Sequence, residues 1–186
     1  MQVATATEAD MPPWRALASE VELLFGPMVG QTGFEDALRH NMARGSAFCV
    51  RLHDGPPGVP LLGGLLWSAR RGVINWLAVA AGARRQGIGS LLVRHVLDGC
   101  PRLTEVVVTT FAGDDPAGRT ARAFYTRLGF RPGPLVSEDP PRRAFRLLLP
   151  AQQGGSDQGR SRGPLGVQDR IGGPVCAGPE CPESSP

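Results

Sequence analysis

Lysine is absent from this chain, and tyrosine occurs once. With no lysine there can be no Gly-Lys-Ser/Thr phosphate loop, because that motif needs the amine on the terminal phosphates. No apolar run reaches the 18 residues of a membrane span. The opening segment, Met1 to Glu8, has neither a basic stretch nor an apolar one, so no secretory signal is expected. Nor is there a basic stripe. The formal net charge is +3, and arginines adjoin only at 70/71, 84/85 and 142/143, so a nucleic-acid surface is not expected. Cys176 and Cys181 have no histidine beside them, a poor pattern for zinc. Cys49 and Cys100 read as small core residues. These absences leave a cytoplasmic protein without metal, membrane or nucleic-acid partner as the expectation. The Ala/Gly/Arg-rich, lysine-free composition points to a GC-rich genome of actinobacterial type.

What is present suffices for one domain. The chain has 186 residues, 41% of them hydrophobic, within the usual single-domain range. After Pro150 the character changes. Residues 151–186 hold no aromatic residue and four aliphatic ones, Leu165, Val167, Ile171 and Val175. Such a segment buries too little surface to offset its ordering entropy, so a domain over 1–150 and a disordered Gly/Pro/Ser-rich tail over 151–186 are expected.

Within the domain, residues 1–7 suit a first strand. Asp10 is the expected N-cap of a helix reaching about Phe25, and Thr32 that of a second, ending before Gly45. Strands follow at 47–52, 60–69 and 72–80, then a helix over 87–98 closed by Gly99. A β-branched strand covers 103–111 and a helix 117–128. Strands near 131–137 and 143–149 complete a β-α-α-β-β-β-α-β-α-β-β order.

One turn concentrates the chemistry. Val73 to Val79 is an apolar strand, Arg84-Arg85-Gln86-Gly87-Ile88-Gly89 a Gly-rich turn, and Ile88, Leu91, Leu92, His95 and Val96 recur at helical spacing. A helix N-terminus offers unpaired N–H groups and partial positive charge, so it attracts phosphate. Glycines at 87 and 89 would let a pyrophosphate approach the backbone, and the arginines add fixed charge. A dinucleotide-binding turn would need a third glycine where Leu92 stands, and no early βαβ unit precedes it.

The remaining pattern, Arg-x-x-Gly-x-Gly after a strand ending Leu-Ala-Val, resembles the acetyl-CoA pyrophosphate loop of the GNAT superfamily of N-acetyltransferases. Ala121-Arg122-Ala123-Phe124-Tyr125-Thr126-Arg127-Leu128-Gly129-Phe130 resembles that family's second motif, in the right order and with a strand between. The resemblance spans residues 1–149, most closely 72–131. It implies an α/β fold with a mixed, mostly antiparallel sheet of about seven strands flanked by four helices. It further implies that backbone groups of Leu77, Ala78 and Val79 hold the pantetheine arm, an amide near Val79 facing the thioester oxygen. Arg84, Arg85, Gln86, Gly87, Ile88, Gly89 and Ser90 would bind the pyrophosphate, with Phe124 and Gly118 also at the cofactor. Gly118 stands where the family often has asparagine.

Tyr125 is the expected catalytic residue. Its phenol, near pKa 10 when unperturbed, can protonate a leaving thiolate while staying neutral at working pH. The general base is open among Asp114, Asp115, Glu35, Asp36 and a water relay; His53 and His95 are poorer choices. The implied activity transfers acetyl from acetyl-CoA to a primary amine of a small molecule, peptide or protein, by a monomer or homodimer. The alternative is a catalytically weak acyl-CoA-binding module that senses cofactor or acts through a partner.

Overall fold

The computed structural model describes residues 1–25, 28–99, 103–113, 116–138 and 140–150. Cys100, Asp114, Asp115 and the whole 151–186 segment, with Cys176 and Cys181, lie outside the described residues.

Seven strands form one sheet: β1 (Ala4–Thr5), β2 (Ala47–Arg51), β3 (Leu61–Ser68), β4 (Val73–Val79), β5 (Glu105–Phe111), β6 (Arg131–Glu138) and β7 (Pro141–Leu148). Four helices accompany them: α1 (Met11–Phe25), α2 (Thr32–Ala43), α3 (Ile88–Asp98) and α4 (Pro116–Arg127). The element order is the expected one. Strand order across the sheet is β1-β2-β3-β4-β5-β7-β6. Every pairing is antiparallel except β4 with β5, the one parallel contact, at the centre of the sheet.

Each face of the sheet carries its own apolar layer. On one, Trp14, Leu17 and Val21 of α1 and Leu38 and Met42 of α2 pack on Cys49, Leu66, Trp76 and Ala78. On the other, Ile88, Leu92 and Val96 of α3 and Tyr125 of α4 pack on Leu65, Ile74, Val106, Val108 and Phe145. Adjacent glycines in β3 set how close the layers come. A Cβ on Gly63 would lie 2.8 Å from Ile88 Cγ2, and one on Gly64 2.9 Å from the Trp14 ring. Helix α3 therefore seats its first residue directly on the β3 backbone. Cys49 is buried, and burial pushes its thiol up to about 11, as suits a core residue.

Two expectations change at the N-terminus. The first strand keeps only Ala4 and Thr5, and Asp10 is not the N-cap. The chain enters its helix through a short 3-10 turn, Glu8–Asp10, capped by Thr7 in a reciprocal box with Asp10. Asp10 is fully buried and takes both Arg51 donors, Nε at 3.0 Å and Nη2 at 2.7 Å, plus the Thr7 and Gly58 N–H groups. Burial alone would raise its carboxyl; the Arg51 guanidinium and the two amides outweigh it and hold the group at about 2. The second helix likewise starts one residue before expectation, with Gln31 at its N-cap and no side-chain cap.

Candidate active site

The parallel pair β4–β5 is joined at two positions, Val73 with Val107 and Ile74 with Val108. Beyond them the strands part, although β4 runs to Val79 and β5 to Phe111. A bulge marks the parting. Against β3, Leu66 faces Trp76 while Trp67 faces Ile74, so Asn75 is an extra residue in β4. A bulge bends its strand and sharpens its twist, which carries β4 away from β5. It also reverses the side-chain faces: Ile74 packs with the α3/α4 layer, but Trp76 packs with the α1/α2 layer, two residues on.

The backbone follows suit. The Ala80 N–H donates to Leu62 O on β3 at 3.0 Å. Alternation then turns the Ala78 N–H toward β3 and those of Leu77 and Val79 toward the gap. The wedge is thus edged by unpaired β4 amides, with Leu77 deeper and Val79 at the mouth. The Val79 carbonyl accepts from Arg84 Nε at 3.3 Å. Across the gap, β5 offers the buried hydroxyl of Thr110, 9% exposed, which the sequence reading missed.

The wedge leads straight into the Gly-rich turn. Ala81–Ala83 forms a 3-10 turn, and α3 begins at Ile88. Gly87 is the N-cap at φ 85°, ψ −2°, in the left-handed region, and Arg85 shares that sign with φ 63°. No side chain caps α3. Residues 84 and 85 form a turn, and among the described residues no hydrogen bond to a protein acceptor runs from the N–H groups of Gly87, Ile88, Gly89 and Ser90; the first bond into the helix runs from the Leu91 N–H to Gly87 O, 2.9 Å. Four orphan donors at a helix N-terminus are the arrangement that favours an anion. A groove of about 490 Å³ lies against it, lined by Gln86, Gly87, Ile88, Ser90, Leu91, Met1 and Arg94. Arg94 was also missed; it stands four residues after Ser90, hence on the same helix face.

The two glycines differ in purpose. Nothing lies within 4 Å of a Cβ on Gly87, so its need is conformational. A Cβ on Gly89 would lie 3.1 Å from Phe124 Cζ, so this glycine admits the Phe124 ring under the turn rather than a ligand over it. Phe124 in turn meets Tyr125 edge-on, centroids 5.1 Å apart, and Tyr125 meets Phe130 at 5.4 Å. Tyr125 is buried in the α3/α4 layer, and burial pushes its phenol above the ordinary value. It is held neutral. Gly118 is also a packing glycine: a Cβ there would fall 2.7 Å from Phe111 Cβ.

The candidate bases fare unequally. Glu35 accepts from Arg15 Nη2 at 2.7 Å and lies 3.5 Å from Arg39; the Arg15 bond holds its carboxyl below the usual range. Asp36 is exposed beside Arg39. Their ion pairs run to Arg15 and Arg39, on α1 and α2, and Asp114 and Asp115 lie outside the described residues. Glu20, which the sequence reading did not single out, accepts from the Ala81 N–H at 3.0 Å and so ties α1 to the end of β4. His53 lies in a 3-10 turn with φ 54°, and His95 packs edge-on against Phe48, 4.7 Å between centroids. Among the described residues no group of three metal-ligating side chains occurs, and no helix is long and apolar enough to cross a membrane.

Residues 44–132 match the family model of the acetyltransferase (GNAT) domain. Over those residues the chain is similar to the acetyltransferase domain of the GNAT superfamily. Solved GNAT-type structures share its fold. A ribosomal-protein-alanine N-acetyltransferase from Brucella melitensis superposes with a TM-score of 0.59 at 18% identity, covering 80% of this chain and 100% of that one. An Arabidopsis thaliana protein in complex with the bisubstrate analogue CoA-Ac-MVNAL gives 0.57 at 20% identity, covering 80% and 98%. A GNAT-like decarboxylase, GphF, in complex with isobutyryl-CoA gives 0.57 at 15% identity, covering 80% and 99%. A search of curated proteins finds no match. The last of these neighbours is a reminder that one GNAT-like frame serves more than one reaction, so the reaction must be argued from the site.

Proposed function

We propose that this protein transfers the acetyl group of acetyl-CoA to a primary amine. The observation that carries the reading is the continuity of donors: unpaired amides along the open edge of β4 run into the uncapped helix start of Gly87 to Ser90. A long ligand with a pyrophosphate at one end and an amide-bearing arm at the other fits that track. Acetyl-CoA, when bound, supplies its acetyl group as a thioester.

The chain's own groups divide the work. Amides from Arg85 to Ser90 bind the pyrophosphate, and Arg84, Arg85 and Arg94 neutralise it. The Leu77 and Val79 N–H groups hold the pantetheine arm. An amide near Val79 faces the thioester oxygen, where negative charge develops as the amine adds; aimed donors of this kind stabilise that charge without reorganising. Tyr125 keeps its proton until the sulfur leaves and then donates it. Glu35 is committed to Arg15, so the attacking amine sheds its proton to Asp114, Asp115 or a water relay.

The alternative is a catalytically weak acyl-CoA-binding module. It draws support from Gly118, whose place is taken up by packing against Phe111. One experiment separates the two. The protein is incubated with acetyl-CoA and a panel of polyamines, aminoglycosides, amino acids and peptides, and free thiol is followed. Amine-dependent thiol release supports transfer, whereas tight acetyl-CoA binding without release across the panel supports the module.

A further inference from the structure

The groove at the start of α3 does not stop at the backbone amides of Gly87 to Ser90; it continues along the side of the helix to Arg94. Between the two, Leu91 and Met1 line it with apolar surface, Leu91 half-buried and Met1 exposed. Asp54 accepts from the Gln2 N–H at 2.8 Å and from the Met1 amine at 3.1 Å. That carboxylate is taken up by the chain itself, and it holds Met1 where it meets the groove.

Arg94 is the one charged side chain that lines this groove, and it is exposed. Arg15, Arg39 and Arg51 are each paired with carboxylates. Arg94, in contrast, makes no ion pair or hydrogen bond among the described residues, not even with Asp98 one turn further along α3. Its position separates it from the amides. It stands four residues after Ser90, about 6 Å further along the axis. Helical side chains lean toward the N-terminus, so the guanidinium covers the turn around Leu91. The groove thus offers, in order, amides for one anion, an apolar stretch and a separate cation.

We propose that Arg94 binds a second phosphate, the one that CoA carries on its ribose ring, and so selects free CoA thioesters over acyl groups held on the phosphopantetheine of a carrier protein. The proposal rests on the acetyl-CoA reading above and gives Arg94 a target of its own within it. With the pyrophosphate on the amides, the adenosine comes next along the ligand and lies on the Met1–Leu91 stretch. That brings the ribose phosphate to Arg94. A guanidinium pairs with a phosphate through two parallel hydrogen bonds, stronger than those between neutral groups. A phosphopantetheine thioester ends in a single phosphate, so it leaves both the apolar stretch and Arg94 without a partner.

The test is calorimetric titration of the full chain, and of R94A and R94K, with acetyl-CoA, acetyl-dephospho-CoA and acetyl-phosphopantetheine; no acceptor is needed. The wild type should bind acetyl-CoA about 10-fold more tightly than acetyl-dephospho-CoA, as one charge-assisted contact gives, and acetyl-phosphopantetheine most weakly. R94A should lose that advantage while keeping its affinity for acetyl-dephospho-CoA, which brings the ratio toward one, and R94K should retain part of it. Added salt should narrow the wild-type ratio, since the groove is open to solvent. A thermal melt shows that the variants are folded. Equal wild-type affinity for acetyl-CoA and acetyl-dephospho-CoA, or for acetyl-CoA and acetyl-phosphopantetheine, overturns the proposal and leaves the acetyl-CoA reading standing. An R94A protein that binds both nucleotide donors more weakly to the same degree also overturns it, placing the guanidinium on the pyrophosphate. So does a ratio that survives in R94A. Failure of all three donors to bind overturns both readings.

Discussion

Replacing Gly87 with valine tests the anion cradle where its geometry is most demanding. The residue sits at φ 85° with open space around its Cβ position, so the penalty is conformational and not steric. A non-glycine residue held in that region costs about 1–2 kcal/mol, and a β-branched one more. Against this, α3 is anchored by Ile88, Leu92, Val93 and Val96, all buried. Each such side chain contributes about 1.5–3 kcal/mol, so the helix stays docked and the turn yields instead. The melting temperature should fall by no more than about 2–8 °C, the shift that ~1–2 kcal/mol causes in a chain of this size. Relaxing the turn rotates the amides beside residue 87 away from their common focus. Losing two charge-assisted bonds at ~1.5–3 kcal/mol each weakens binding by about 3–6 kcal/mol, or ~100-fold to ~10,000-fold in Kd. The assay is a calorimetric titration with acetyl-CoA, with CoA as competitor and a melt to show folding. Unchanged affinity in a folded G87V protein would refute the cradle and, with it, the placement of the pyrophosphate.

Tyr125→Phe keeps the ring against Phe124 and Phe130 and removes only the hydroxyl, so acetyl-CoA affinity should hold while kcat drops. General-acid effects run from ~100-fold to ~10,000-fold, and the lower end is expected here because water can replace the donor; a wild-type rate with chemistry limiting would make Tyr125 a packing residue. Stability should also report on Asp10. Its folded carboxyl lies at about 2 against 3.8 for the free group, so the contribution is full above pH 4 and is lost as pH falls through 2, an amount of about 2 kcal/mol. Asp10→Asn should flatten that acid limb in a pH series of melts, and should cost about 3–5 kcal/mol at neutral pH by leaving Arg51 buried without its counter-charge. An acid limb as steep in D10N as in wild type would assign it to other groups.

Much of the fold was legible because its signals are local. The Val73–Val79 run, the Gly-rich turn and the i, i+4 recurrence in α3 each sit within a dozen residues, and the element order follows from such segments. What stayed hidden depends on partners far along the chain. Asp10 reads as a helix cap until Arg51, 41 residues on, is seen to claim it. Glu35 reads as a free carboxylate until Arg15 arrives from the preceding helix. Gly89 reads as room for a ligand, but the ring that fills the space comes from Phe124 on α4. Arg94 and Thr110 carry no motif of their own and gain meaning only beside the groove and the wedge.

The extra residue at Asn75 gives β4 two different lives. Before it, the strand is ordinary sheet interior, hydrogen-bonded on both flanks; after it, every second peptide group is left waiting for a partner that the protein itself does not supply. Solvent hydrogen should therefore enter this one strand in a striped pattern, slowly at Ala78 and Ala80 and quickly at Leu77 and Val79. Acetyl-CoA should erase the stripes, and a free protein without them would mean that the gap between β4 and β5 closes in solution. In that sense a third flank of the central sheet arrives with the substrate, and the strand is completed only while the ligand is bound.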